Sequence, residues 1–291
     1  MAFKKTANAE LQEPTLSVTE WGKMYGVHTF GHKTAAFNKI SADSSKYLLS
    51  HCTIMASVQT EEEPFDYLIK PECSHLVNNN DDAWTNEVLR LSHRSFVGAF
   101  NFVEHFQNSK YAKGHILDAV LRKIQIAGPE CWVYFCDILV ATDLAHDKLV
   151  NDIREGHVRY LSMGCVTDLV ICSFCGARVT DQSTYCHHLN FNKGTFLVDD
   201  DGISRRVAEL CGHKTLSNGG VKFVEASWVA TPAFPGAAKR SIVSDEWVGP
   251  KTPYTRKAAS TEGGHAYMKG VFAKAASSLP VIDSWLDEDG R

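Results

Sequence analysis

No apolar run in this 291-residue chain approaches the roughly 20 residues needed to span a bilayer. The opening residues, MAFKKTANAELQEP, carry two lysines with no apolar stretch behind them, so a secretory signal is not expected. Positive charge is not in excess. Lys and Arg total 30 against 34 Asp and Glu, which leaves a formal charge of -4 and a pI near 6.3. That balance gives no electrostatic footprint for nucleic acid or an anionic membrane. Neither G-x-G-x-x-G nor G-x-x-x-x-G-K-[ST] occurs, so nucleotide-binding folds have no anchor. The nucleophile elbow G-x-S-x-G is missing too, which removes support for an α/β-hydrolase.

What the chain does have is core-forming material, with 44% apolar and 22% charged residues. Tyr47 to Val58 reads as a buried strand, Ser95 to Phe106 as a second, and Cys131 to Thr142 is the most strand-like stretch. Leu144 to Glu155 reads as a helix with Asp143 as N-cap and Gly156 as its stop. Val221 to Ala237 reads as a strand ending in a proline-punctuated turn. Short strands around one clear helix predict an α+β fold, a mainly antiparallel sheet or barrel with flanking helices. Three parts are expected: an N-terminal arm over 1–43, a main domain over 44–243, and a flexible tail over 244–291.

Nine cysteines, an odd number, point to a reducing compartment with buried or metal-bound thiols. Four residues have metal-site spacing: Cys172 and Cys175, then Cys186 after ten intervening residues, then His188. A Cys-x-x-Cys knuckle brings two thiolates to one ion, and zinc suits a Cys3His set at about 2.1–2.3 Å. His187 competes for the fourth position, and Cys211 or His213 can substitute or support. Four protein ligands close the shell, so the zinc is expected to be structural, bracing an insert over 165–215.

Ser162 lies in an apolar strand-like run, and His105 ends another; a nucleophilic serine needs such a base within reach. His93, His115 and His157 compete with His105 on pattern alone. The order of motifs says more: NFVEHFQNSKYAKGHILDA, then GHVRYLSMG (Gly156 to Gly164), then VEASWVATPAFPGA ending at Pro232 to Ala237. This order resembles the prohead (procapsid) maturation serine proteases of tailed bacteriophages, which share a fold with the herpesvirus assemblins. The Cys/His insert is similar to that of a branch from large-genome phages. Glu104 and Phe106 flank His105 where the family has Asn-His-Asp or similar, a departure at that position.

The resemblance implies an assemblin-like fold and a serine endopeptidase with Ser162 as nucleophile and His105 as general base. The acidic member is left open among Glu104, Asp118, Asp137 and Asp168. Also implied are scaffold and major capsid proteins as substrates, self-cleavage, and a location in host cytoplasm inside the procapsid or virion. Homo-oligomer formation is compatible with this, and no nucleic-acid or membrane partner is expected. A non-catalytic capsid-assembly protein keeping the fold and the zinc site is the alternative. A zinc-ribbon nucleic-acid binder is weaker, because the segment around the cluster carries few basic residues, such as Arg178, Lys193, Arg205 and Arg206.

Overall fold

Long β-branched and aromatic runs, buried along most of their length, form the main strands, and they close on themselves. The computed structural model describes residues 3–5 and 46–243. Its strands are β1 (Phe3–Lys5), β2 (Tyr47–Ala56), β3 (Asp82–Ala83), β4 (Phe100–Val103), β5 (Gly114–Ala127), β6 (Cys131–Asp143) and β7 (Tyr160–Thr167). They continue with β8 (Val170–Cys172), β9 (Arg178–Val179), β10 (Phe196–Val198), β11 (Ser204–Arg206), β12 (Glu209–Cys211), β13 (Val221–Val229) and β14 (Ala238–Val243). The helices are α1 (Asn86–Ser92), α2 (Asp147–Glu155) and α3 (His187–Phe191).

Seven strands follow one another in the order β7-β13-β4-β5-β6-β2-β14, and β14 returns to β7 through Ala238 and Tyr160. The result is a closed β-barrel in a mixed α+β chain, within the expected class of a mainly antiparallel sheet or barrel. All its pairings are antiparallel except β13 with β4. β1, within the stretch read as an arm, pairs along the outer part of β7 from Phe3 opposite Thr167 to Lys5 opposite Cys165. The rest of the expected arm and the tail over 244–291 lie outside the described residues.

The core joins inward residues of the barrel to α1 and α2: Ile54, Ile138, Val140, Leu161, Phe223 and Trp228 with Leu89 and Ile153. Phe96 stacks on Phe223 at 4.3 Å between ring centres. The Trp228 indole Nε1 donates to Thr142 Oγ1 at 3.2 Å, so the largest core ring carries its polar atom satisfied.

Two boundaries differ from expectation. Ser95 to Phe106 is a strand only over Phe100–Val103, because Gly98 adopts φ +85° and breaks the extended backbone. The helix read from Leu144 begins at Asp147. Asp143 Oδ1 accepts from Ala145 N–H at 2.8 Å, which builds a turn in place of the cap. Gly156 stops the helix at φ +84°, as expected.

The segment after β7, joined by β3 from earlier in the chain, forms a small second sheet, β3-β12-β8-β9, and β10 pairs with β11 in a hairpin. Its own core is slight: Val170, Cys172, Val179, Leu189 and Val207.

Candidate functional site

Strand alternation decides which side chains meet. On β7, Leu161 and Cys165 enter the core, so Ser162 faces the other way. On β13, Val221 and Phe223 enter the core, but so do Ala226 and Trp228. The change of phase is a bulge: the register against β7 slips between Phe223 and Glu225, leaving Val224 extra. Glu225 and Ser227 are thereby turned onto the face that carries Ser162, and Ser227 is the direct cross-strand partner of Ser162.

His105 arrives from β4, the other neighbour of β13. Glu104 and His105 both take left-handed backbone, φ +49° and +55°. Two successive non-glycine residues in that region store strain, and such strain gathers where a side chain must be held in place. The turn is fixed by Glu104 N–H donating to Trp228 O at 2.9 Å and by Glu104 Oε1 accepting from Ala230 N–H at 2.7 Å. Glu104 is therefore a turn brace and does not bond to the imidazole.

The partner of His105 is Glu225. His105 Nδ1 and Glu225 Oε1 are 2.6 Å apart, and the carboxylate is almost wholly buried at 1% exposure. Gln107 Nε2 donates to the same oxygen at 3.1 Å, and Ser227 Oγ donates to Oε2 at 2.6 Å. With Nδ1 carrying the proton toward the carboxylate, Nε2 is the basic nitrogen. Burial pulls the His105 pKa down, yet the hydrogen bond and charge of Glu225, with the charge of Glu104, outweigh it and leave the imidazole above its usual value.

Ser162 and His105 line one cavity of about 370 Å³. Its walls come from β2 (Met55), from the 76–84 segment (Leu76, Asn78, Trp84) and from the proline turn (Phe234). No hydrogen bond links Ser162 to His105 among the described residues. Such contacts are often long without substrate and tighten in the Michaelis complex.

The other candidate acids are engaged elsewhere. Asp118 pairs with Arg94, Asp137 with Arg122 and His51, and Asp168 is exposed beyond the end of β7. None of the competing histidines lines the cavity. Burial drops His93 to about 4 and His115 to about 3, and His157 lies exposed beside Asp152 and Glu155. Pattern reading missed Glu225, although VEAS offers a signal: a carboxylate in the middle of an otherwise apolar strand requires a buried partner.

The second constellation is the one the spacing predicts. Ligand atoms of Cys172, Cys175, Cys186 and His188 all lie within 4.8 Å of one another and could hold a metal ion. Gly176 at φ +70° completes the knuckle, where a Cβ would strike the Tyr67 ring at 2.8 Å. Buried His188 Nδ1 has no hydrogen-bond partner among the described residues, as a ligand nitrogen awaiting a cation does. Burial pushes the Cys172 thiol up to about 12. At Cys186 burial also opposes ionisation, but the Leu189 and His188 N–H groups and the neighbouring thiols outweigh it and lower the pKa. Three sulfurs and one imidazole nitrogen suit zinc. His187 is exposed outside the set, Cys211 sits in the barrel core, and His213 bonds Thr215 through Nδ1 at 2.7 Å.

No helix among the described residues is long and apolar enough to cross a membrane. Compared with protein-family models, with curated proteins and with solved structures, the chain matches none.

Proposed function

We propose that the protein is a serine endopeptidase of the procapsid-maturation type, with an assemblin-like barrel and a structural zinc site. One observation carries the reading: a buried carboxylate, Glu225, holds the imidazole of His105 in the cavity that Ser162 also lines. Ser162 Oγ attacks the carbonyl carbon of a peptide bond while His105 Nε2 takes its proton. The same proton then goes to the leaving amine as the C–N bond breaks, giving an acyl-enzyme that water hydrolyses. Glu225 fixes the ring and stabilises the transient imidazolium. Zinc on Cys172, Cys175, Cys186 and His188 supplies folding energy to its segment and stays out of the reaction. Substrates are scaffold and capsid proteins and the chain itself, inside the procapsid.

The motif order supports the substrate assignment; the buried Glu225–His105 pair supports the chemistry. The alternative, a non-catalytic assembly protein on the same scaffold, draws on the unformed Ser162–His105 hydrogen bond. Incubation with a fluorophosphonate followed by mass spectrometry separates them. The expected result is one adduct on Ser162, lost in His105→Ala, and processing of scaffold protein that Ser162→Ala cannot perform. No adduct and no processing by wild type would leave the assembly role.

A further inference from the structure

The cavity that Ser162 lines is built in part from the segment that carries the Cys/His cluster. Gln182, between Cys175 and Cys186, and Lys193, five residues past His188, both line the cavity together with Glu209. Glu209 is 2% exposed and stands at the centre of a clamp. Lys193 Nζ lies 2.6 Å from its Oε1 and 3.3 Å from Asp82 Oδ1, which also lines the cavity. Tyr185, adjacent to Cys186, donates its hydroxyl to Glu209 Oε2 at 2.8 Å.

Two of the groups that hold Glu209 therefore lie in the metal-bearing segment, one residue before Cys186 and five residues after His188. The apolar core beneath them is only five buried residues, too few to order about thirty residues alone. Ser162, His105 and Glu225, by contrast, are carried by three adjoining barrel strands or the turn leaving one.

We propose that metal bound at Cys172, Cys175, Cys186 and His188 controls substrate access to the Ser162 cavity through Tyr185, Lys193 and Glu209. This rests on the protease reading for its consequence, though not for its structural content. With the metal in place the clamp closes one wall and presents a formed binding surface. Without it Tyr185 and Lys193 move away from Glu209 and Asp82, and the wall loosens while the barrel keeps its three residues together.

The test compares full-length protein loaded with Zn2+ and stripped by chelator, followed by hydrogen exchange, fluorophosphonate labelling of Ser162 and cleavage of a protein substrate. On stripping, exchange over 182–198 and at Glu209 is expected to rise. Labelling should change less than about twofold, and cleavage should slow about tenfold or more through KM. Tyr185→Phe and Lys193→Met, which keep all four ligands, should retain metal yet raise KM. The proposal is overturned if exchange at Glu209 and cleavage ignore the metal, if labelling is lost together with cleavage, or if both variants cleave as wild type. Failure to label the loaded protein would sink the protease reading instead, and exchange at Glu209 would still decide the coupling.

Discussion

Glu225 acts on His105 in two ways that separate experimentally: it orients the ring and it raises the pKa. Under the proposed mechanism His105 must be neutral to act as general base, so activity should fall as pH drops through a midpoint above 6.5, the unperturbed value. Glu225→Gln removes the charge and leaves burial, which pulls the other way. Its acid limb should move below that of wild type, and kcat should fall by on the order of 10³ to 10⁴. Coincident pH profiles of kcat/KM for the two proteins would refute this role. A second buried carboxylate is structural. Burial raises the pKa of Asp137, but His51 and Arg122 outweigh that and hold it well below 3.8. A depressed folded pKa contributes stability above about pH 3.8 that is lost as pH falls through the folded value. Arg122→Ala leaves this charge, at 1% exposure, with only His51 and Thr53 among the partners described, and should cost up to about 3–5 kcal/mol in urea unfolding at pH 7. The deficit should shrink in acid, where the carboxyl is neutral.

At the scale of elements, β13 carries most of the site: it bears Glu225, pairs with the Ser162 strand on one side and with the strand leading to His105 on the other. Its stacked Phe223 anchors it, and Phe223→Ala should cost about 3–5 kcal/mol, read as a lowered urea midpoint with β13 amides exchanging faster. The same strand shows what the sequence concealed. Strict alternation from Val221 and Phe223 would send Glu225 inward; only the extra residue Val224 reverses it, and a bulge is set by the partner strand's register. The Cys/His set was legible because its ligands lie within seventeen residues of chain, where spacing nearly fixes geometry. Motif order singled out Ser162 and His105, but not the cavity they share, since that depends on a β4–β13 pairing more than a hundred residues apart.

For the whole molecule, the alternating strands and turn residues announced short antiparallel strands, while nothing local in them announced closure. Closure rests on little. β14 meets β7 at one residue pair, Ala238 and Tyr160, flanked by Leu161 N–H to Ala237 O at 3.3 Å and Lys239 N–H to Arg159 O at 2.7 Å. The seams on either side are longer, eight residue pairs between β13 and β7 and five between β14 and β2, and even the short β4–β5 seam has two. Heating should therefore part the barrel at β14 before it melts elsewhere. A parted barrel is a sheet with a raw edge at β14 and another at the part of β7 that β1 does not cover, and raw edges recruit strands from other molecules. Loss of this protein on warming should thus be a concentration-dependent coalescence that begins before global unfolding, visible as light scattering ahead of the near-ultraviolet transition. A staple across Tyr160 and Ala238 should delay it.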